Sequence, residues 1–403
     1  YEIGSGLVGS EMCIRDSYKP ERTLACISVS GQWPYHRDKW LCPDIWGERN
    51  INKIPCLETM GEYESAHTWS NEGLKERKEY PLLPLSMLAC PAEGHFAYTP
   101  EKAQYIALYI KKAMHYGHVD PTKEGWLMER WKKNEKPSCI PAPVNQFKGD
   151  PAQAFWFFDR EMIEATLAYQ SRYYDMKPQL VSVSQNGKTV SQQNTHLQVH
   201  PAFMPQEDGI TFQLTPVFLD TVPGESPRLS NWTDLPVGAS IGHAGKSPVL
   251  QMITGPAVLV DSVTFRIQWN RGTLWTDKKS DIVFSITHPG DKEYKPAVQQ
   301  AQITIPVKNR EGQPQHIEFA TLPDIKRGTK YVSLSAVSSC GLPVDFYVES
   351  GPAYVDGNRL ILTAIPPKTT YPVKVTVIAW QYGKTSDPKI KTAEPVKQTF
   401  YIR

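Results

Sequence analysis

Short apolar runs broken by turn residues dominate the first ninety positions. Leu24-Ala25-Cys26-Ile27-Ser28-Val29 ends in Ser30-Gly31, and Ile54-Pro55-Cys56-Leu57-Glu58-Thr59-Met60 ends in Gly61. A third run, Leu85-Ser86-Met87-Leu88-Ala89-Cys90, leads into Pro91. Near-continuous apolar strands of this length suit a parallel sheet covered on both faces. Pro55 fits the start of its strand, not the middle. Glu58 is awkward in a buried strand, which predicts an edge or turn-facing position for it. After the third run the pattern changes to a helix: Thr99 can cap it, Pro100 suits its first position and Glu101 complements its dipole. Ile106, Tyr109, Ile110, Ala113 and Met114 fall on one continuous face, and Gly117 ends the helix.

Residues 118–149 read as irregular, with prolines at 121, 137, 141 and 143. A second helix is predicted from Asp150-Pro151, where Gln153 completes a capping-box pattern, to about residue 174. Phe155, Phe158, Met162, Ala165 and Tyr169 supply its periodicity. From Gln179 onward the period becomes two. Leu180-Val181-Ser182-Val183-Ser184, Thr211-Phe212-Gln213-Leu214, Thr264-Phe265-Arg266-Ile267-Gln268-Trp269 and Asp281-Ile282-Val283-Phe284-Ser285-Ile286 alternate between turn signals such as Asp208-Gly209 and Pro289-Gly290-Asp291. No helix pattern interrupts residues 179–310, so a β-sandwich is expected. A further set of strands is expected at 331–336, 344–348, 360–363, 373–380 and 398–402, with a hairpin turn at Asp356-Gly357-Asn358.

Composition narrows the function classes. The chain has 403 residues and a net charge of +2, with 21% charged residues. That balance gives no reason to expect nucleic acid or an anionic membrane as partner, and no apolar run is long enough to span a bilayer. The 34 prolines, 11 tryptophans and 19 tyrosines suit loop-rich β domains and aromatic-lined pockets. Seven cysteines include no C-x-x-C pair. Buried free thiols are expected for the early cluster Cys26, Cys42, Cys56 and Cys90, with a disulfide at Cys42 left open. His115, His118 and Asp120 straddle Gly117, which favours a helix-end charge role over metal binding. With no H-E-x-x-H, P-loop or dinucleotide fingerprint, neither a metal nor a cofactor is expected.

The candidate chemistry sits after the second and third strands. Gly61-Glu62-Tyr63-Glu64 follows one, and Pro91-Ala92-Glu93-Gly94-His95-Phe96 follows the next. An acid after one parallel strand and a histidine after its neighbour are the last two members of a Ser…Asp/Glu…His series. Residues 18–117 thus resemble the C-terminal third of a bacterial α/β-hydrolase of esterase type. That resemblance implies His95 as general base and Glu64 as its carboxylate, with Glu62 as runner-up. It also implies that the nucleophile and the oxyanion hole lie upstream and are absent from this chain. Trp33, Tyr35, Trp40 and Trp46 crowd the loop after the first strand, where the family often carries a cap, and are candidate substrate-binding residues. Gly238-Ala239-Ser240-Ile241-Gly242 spells G-x-S-x-G, but no strand-to-helix elbow surrounds it and it follows His95.

Two further resemblances shape the domain plan. Gly341-Leu342-Pro343-Val344, Glu349-Ser350-Gly351-Pro352-Ala353 and Gly357-Asn358-Arg359-Leu360 resemble a bacterial immunoglobulin-like repeat. Gly9-Ser10-Glu11-Met12-Cys13-Ile14-Arg15-Asp16-Ser17 resembles a translated sequencing-library adapter, and residues 1–17 carry no secretory signal. The expected fold is therefore multidomain: a partial α/β-hydrolase, a parallel sheet with helices, followed by two all-β sandwich domains, the last Ig-like. Its parts are a non-native segment at 1–17, the hydrolase part at 18–119, an irregular segment with a docking helix at 120–177, a β-sandwich at 178–312 and the Ig-like unit at 313–403. The two sandwiches are expected to fold independently. The expected function is that of a fragment of an exported serine-type hydrolase, periplasmic or extracellular, acting on a small-molecule or carbohydrate ester and inactive in this chain. The alternatives are a non-catalytic carbohydrate- or surface-binding protein on a degenerate hydrolase scaffold and, less favoured, a peptidase of the same fold.

Overall fold

In the computed structural model the described residues are 20–31, 33–34, 50–64, 66–95, 97, 99–190, 198–224, 232–275 and 279–403. Strands β1 (Cys26–Val29), β2 (Cys56–Gly61) and β3 (Leu85–Cys90) form a parallel sheet in the order β1-β2-β3. Cys26 pairs with Cys56 and Cys56 with Leu85, so the carboxyl ends of the three strands are brought together. Every residue of β2 and β3 is buried. Glu58 is one of them: it lies within the central strand, fully buried, and marks no edge.

Helix α1 (Ala66–Glu79) has no counterpart in the apolar pattern. Its inward positions include Ala66, Ser70, Gly73 and Leu74, a helical spacing carried mostly by small residues. Small residues let a helix approach closely, and a Cβ at Gly73 would lie 2.5 Å from the Trp33 ring. Helix α2 (Pro100–Tyr116) begins and ends as its signals predict. Thr99 Oγ1 accepts from the Lys102 amide at 3.1 Å, and Gly117 follows with φ 65°. Its buried face is Lys102, Tyr105, Tyr109 and Ala113, while Ile110 and Met114 are exposed. Apolar spacing misplaced that face because Lys102 turns inward to Glu93, Nζ to Oε2 2.6 Å.

The segment expected to be irregular contains β4 (Trp126–Glu129) and β5 (Ala142–Pro143). The expected second helix divides into a 3-10 turn at Pro151–Gln153, strand β6 (Ala154–Phe157) and helix α3 (Arg160–Gln170), capped by Asp159. Ala154-Phe155-Trp156-Phe157 is buried at all four positions. A strand between two packed layers needs that, and the aromatic spacing only imitated a helix. Strands β4–β6 form an antiparallel sheet in the order β5-β4-β6. Ser86 Oγ donates to the Trp156 carbonyl at 2.5 Å, joining this sheet to β3. Both sheets and all three helices contribute to one core.

The middle unit comprises β7 (Val181–Gln185), β8 (Lys188–Thr189), β9 (Gln198–Val199), β10 (Thr211–Gln213), β11 (Thr215–Phe218), β12 (Val249–Thr254), β13 (Ala257–Leu259), β14 (Thr264–Ile267), β15 (Lys279–His288) and β16 (Ala297–Pro306). The sheet β12-β15-β16-β9 packs on β7 of the sheet β11-β7-β8, and β10-β14-β13 is the third sheet. The last unit comprises β17 (Ile317–Phe319), β18 (Tyr331–Ser333), β19 (Ala336–Ser338), β20 (Asp345–Ser350), β21 (Ala353–Asp356), β22 (Arg359–Leu362), β23 (Val373–Trp380) and β24 (Val396–Ile402). Its sheets β17-β19, β18-β22-β21 and β20-β23-β24 enclose a core of Phe319, Phe346, Leu360, Val375 and Phe400. Both units are β-sandwiches.

The expected partial α/β-hydrolase class is corrected here. The described residues are 36% strand and 14% helix. Among the described residues its strands form eight small sheets, of which only β1-β2-β3 is wholly parallel. The chain is thus mainly β. Strand-loop-helix patterning is local, whereas sheet membership is decided by distant partners. Strands β4–β6, which follow α2, build a separate antiparallel sheet and leave β1-β2-β3 unextended. No helix among the described residues is long and apolar enough to cross a membrane.

The two sandwiches share aromatic contacts. Trp380, fully buried, lies edge-on to Trp269 with ring centroids 6.3 Å apart. Tyr382 Oη donates to the Pro306 carbonyl at 3.0 Å, and Trp275 Nε1 donates to Tyr347 Oη at 2.9 Å. Independent folding of the two units would strip these rings of their packing. Trp380→Ala is expected to destabilise by about 3–5 kcal/mol. Hydrogen exchange should show protection lost at Ile267 of the middle unit as well as at Val377. Loss confined to Val377 would contradict a common core.

Candidate functional site at the carboxyl edge of the parallel sheet

A polar side chain follows each strand of the parallel sheet, and the three form a hydrogen-bonded chain. His95, after β3, places Nδ1 2.7 Å from Glu64 Oε2. Glu64, after β2, accepts on Oε1 from Ser30 Oγ at 2.8 Å and from the Gly61 amide at 3.2 Å. Ser30, after β1, holds a left-handed backbone with φ 52°, uncommon for a residue other than glycine. Its amide is fixed by the Thr59 carbonyl at 2.8 Å. Residues 31 positions apart meet because the register of β2 and β3 aligns their ends.

The electrostatics follow from this contact. The hydrogen bond to Glu64 raises the imidazole pKa above its ordinary value, against the opposing effects of partial burial and the Lys102 charge. The His95 side chain is 46% exposed and that of Glu64 14%. With a carboxylate accepting at Nδ1, the neutral ring carries its proton there and Nε2 is the basic nitrogen. The pair can therefore take a proton on Nε2 while the carboxylate steadies the imidazolium.

Glu62 occupies a different place. Its carboxylate is 5% exposed. Oε2 accepts from the Ala92 amide at 2.8 Å, and Oε1 accepts from Lys295 Nζ at 2.6 Å. The structure thus puts Glu64 beside the imidazole and Glu62 in an ion pair with the β-sandwich. Lys295 was not found by sequence reasoning, because a lysine on a turn carries no signal of its distant partner. Ser30 was read only as the end of a strand, and its place on Glu64 is equally a product of register.

Trp33 lies in the core, 1% exposed. Its Nε1 donates to the Trp69 carbonyl at 3.0 Å, and its ring stacks on Phe155 with centroids 5.7 Å apart. That placement gives it packing partners rather than a surface for substrate. Tyr35, Trp40 and Trp46 lie outside the described residues, as do residues 1–17 and Cys42. Ser240 sits in the middle sandwich, bridged to Thr221, and no helix follows it. Cys26, Cys56 and Cys90 are buried, and burial pushes the Cys90 thiol up to about 12. Among the described residues no group of three or more His, Cys, Asp or Glu side chains could hold a metal ion.

No family model and no curated protein matches the sequence. Solved structures that overlay on the chain include two cadherin-type extracellular domains of human protocadherin-24, at 10% identity and a TM-score of 0.19 over 55% of this chain and 97% of that one. Mouse cadherin-23 domains EC22-24 overlay at 9% identity and TM-score 0.18, covering 56% of this chain and 67% of that one. Drosophila N-cadherin domains EC1-4 do so at 9% identity and TM-score 0.17, covering 39% and 40%. Overlays at such scores define no common fold and carry no functional argument.

Beneath Ser30 and Gly31 lies Glu58, whose Oε1 accepts from the Gly31 amide at 3.2 Å. Burial pushes its carboxyl well above the ordinary carboxylate value, against hydrogen bonds that lower it. The unfolded chain releases this proton near the ordinary value and the fold retains it to higher pH. The contribution is therefore full below the ordinary value and is lost as pH rises through the folded pKa. Glu58→Gln removes that slope. Its stability relative to the parent, from urea denaturation, should increase as the pH rises above the ordinary carboxylate range. A pH-independent difference would show that Glu58 titrates normally.

The Glu64–His95 contact makes a second prediction. By NMR titration the His95 imidazole should titrate above the ordinary histidine range. Glu64→Gln should lower that pKa, because it removes the carboxylate that favours the cationic ring. An unchanged value in Glu64→Gln would mean that the contact is not formed in solution.

Proposed function

We propose that Glu64 and His95 are the acid–base pair of a serine-type carboxylic ester hydrolase. The 2.7 Å contact at the ends of adjacent parallel strands supports this most directly. In such chemistry the imidazole takes the nucleophile's proton and returns it to the leaving alcohol, while the carboxylate holds ring and charge. His95 is the base, through Nε2, and Glu64 orients it. The nucleophile belongs to sequence N-terminal to Tyr18, and the substrate is a small-molecule or carbohydrate ester met outside the cytoplasm. The last β-sandwich serves as an immunoglobulin-like spacer.

One observation favours the competing reading of a non-catalytic attachment protein. The Ser30 hydroxyl donates to the carboxylate, which spends on a structural contact the serine that shares this edge.

Ester hydrolysis separates the two. The 403-residue chain is expected to show no turnover of p-nitrophenyl acetate above background. A chain in which native upstream sequence replaces residues 1–17 should turn it over, and His95→Ala should then lower kcat by roughly 10²–10⁴-fold. Activity that survives His95→Ala, or no activity in the extended chain, refutes the esterase reading.

A further inference from the structure

The two turns that carry Glu64 and His95 are both pressed against the middle β-sandwich. On the acid turn, Glu62 Oε1 accepts from Lys295 Nζ at 2.6 Å, and both side chains are buried, 5% and 4% exposed. The next residue, Tyr63, donates through Oη to the Pro296 carbonyl at 2.8 Å and packs its ring on Trp232, centroids 4.9 Å apart. On the histidine turn, Gly94 faces Val298 of β16 so closely that a Cβ would lie 2.9 Å from Val298 Cγ1. The Glu62 carboxylate also joins the turns to each other, through Oε2 and the Ala92 amide at 2.8 Å. Lys295, Pro296 and Val298 thus touch residues that flank both members of the pair.

We propose that Lys295 is a positioning residue for the Glu64–His95 pair, acting through Glu62. The inference rests on reading that pair as the acid–base centre. Glu62 is two residues from Glu64, and Ala92 three from His95. Without Lys295 the buried carboxylate keeps only Lys133, at 3.9 Å and already paired to Asp234, and such a weakly compensated buried charge must be protonated, hydrated or moved. Any of these responses loosens the bond to the Ala92 amide and lets the two turns drift apart. A misplacement of about 1 Å in such a constellation is enough to cost about 10²-fold in rate.

The sign of the His95 pKa separates positioning from a field effect. The charged groups that act on the His95 imidazole include Glu64 and, more remotely, Lys102. Lys295 faces the Glu62 carboxylate, with Lys133 3.9 Å from the same oxygen and paired to Asp234, and its ammonium lies over the neutral Tyr63 ring. Removing a cation from this neighbourhood favours an imidazolium and would raise the His95 pKa. Moving Glu64 away from Nδ1 lowers it.

The test uses the 403-residue chain with labelled histidine, assigning the His95 resonance by its loss in His95→Ala. In Lys295→Met the His95 pKa should fall toward the ordinary imidazole value, and in Lys295→Arg it should return. An unchanged or raised pKa in folded Lys295→Met overturns the proposal. Where Lys295→Met does not fold, Tyr63→Phe breaks the Pro296 contact with no change of charge. A lowered His95 pKa there supports positioning by the sandwich, and an unchanged one overturns it. In a chain that hydrolyses ester, Lys295→Met should also lower kcat by about 10²-fold with KM held. Absence of hydrolysis in all chains, with the pKa responses as stated, removes the esterase reading and leaves the positioning result in place.

Discussion

A buried carboxylate needs a buried partner, and Glu62 finds its partner on another sheet system. The Glu62–Lys295 contact joins the turn after β2 to the turn before β16. Around it are the Tyr63 bond to Pro296, the Tyr63–Trp232 ring contact and the Gly94–Val298 approach. Tyr63, Ala92, Leu180, Trp232 and Ile241 form a small apolar cluster of their own at this junction. The ion pair is therefore screened by packing rather than by solvent. Such a pair adds little net stability by itself, since desolvation offsets most of the attraction. Its consequence is geometric, because neither charge can leave its place without cost.

The same constraint explains why two neighbouring acids have different surroundings. Glu62 and Glu64 flank Tyr63 on one short turn. Glu62 is drawn inward by Lys295 and the Ala92 amide. Glu64 is left at the rim with Ser30, the Gly61 amide and His95. Sequence offers both as candidates for one role, and the distribution of cations decides between their environments. Glu93 makes a parallel case on the next turn, where Lys102 and Arg172 both approach its carboxylate.

Local signals were legible wherever the responsible contacts are themselves local. The cap at Thr99 and the stop at Gly117 rest on interactions within a few residues, and both are present. The run Leu85–Cys90 coincides with β3, and residues 373–380 with β23. Legibility failed where a distant group intervenes. The face of α2 turned because Glu93 recruits Lys102. Residues 154–157 became a strand because β4 offers them an edge, with Trp126 opposite Phe157. Helix α1 was invisible because its inward face is small, shaped by Trp33 from another part of the chain. The hydrolase class failed for the same reason: three parallel strands imply more only if further strands join them. In this chain the next strands pair among themselves.

These long-range ties also place mechanical limits on the candidate site. Its histidine turn is supported below by α2, through Lys102 Nζ to the Ala97 carbonyl at 3.0 Å, and laterally by β16 at Val298. Strand β16 is in turn the long central partner of β15, paired along all ten residues of each. A ten-residue antiparallel pairing is stiff compared with a free turn. The Glu64–His95 geometry is therefore referred to a rigid element outside the parallel sheet. Among the described residues β1-β2-β3 has three strands, a short frame, and the sandwich acts as the buttress that a wider sheet would otherwise provide. The sandwich is then part of the architecture of this edge and not an appendage to it.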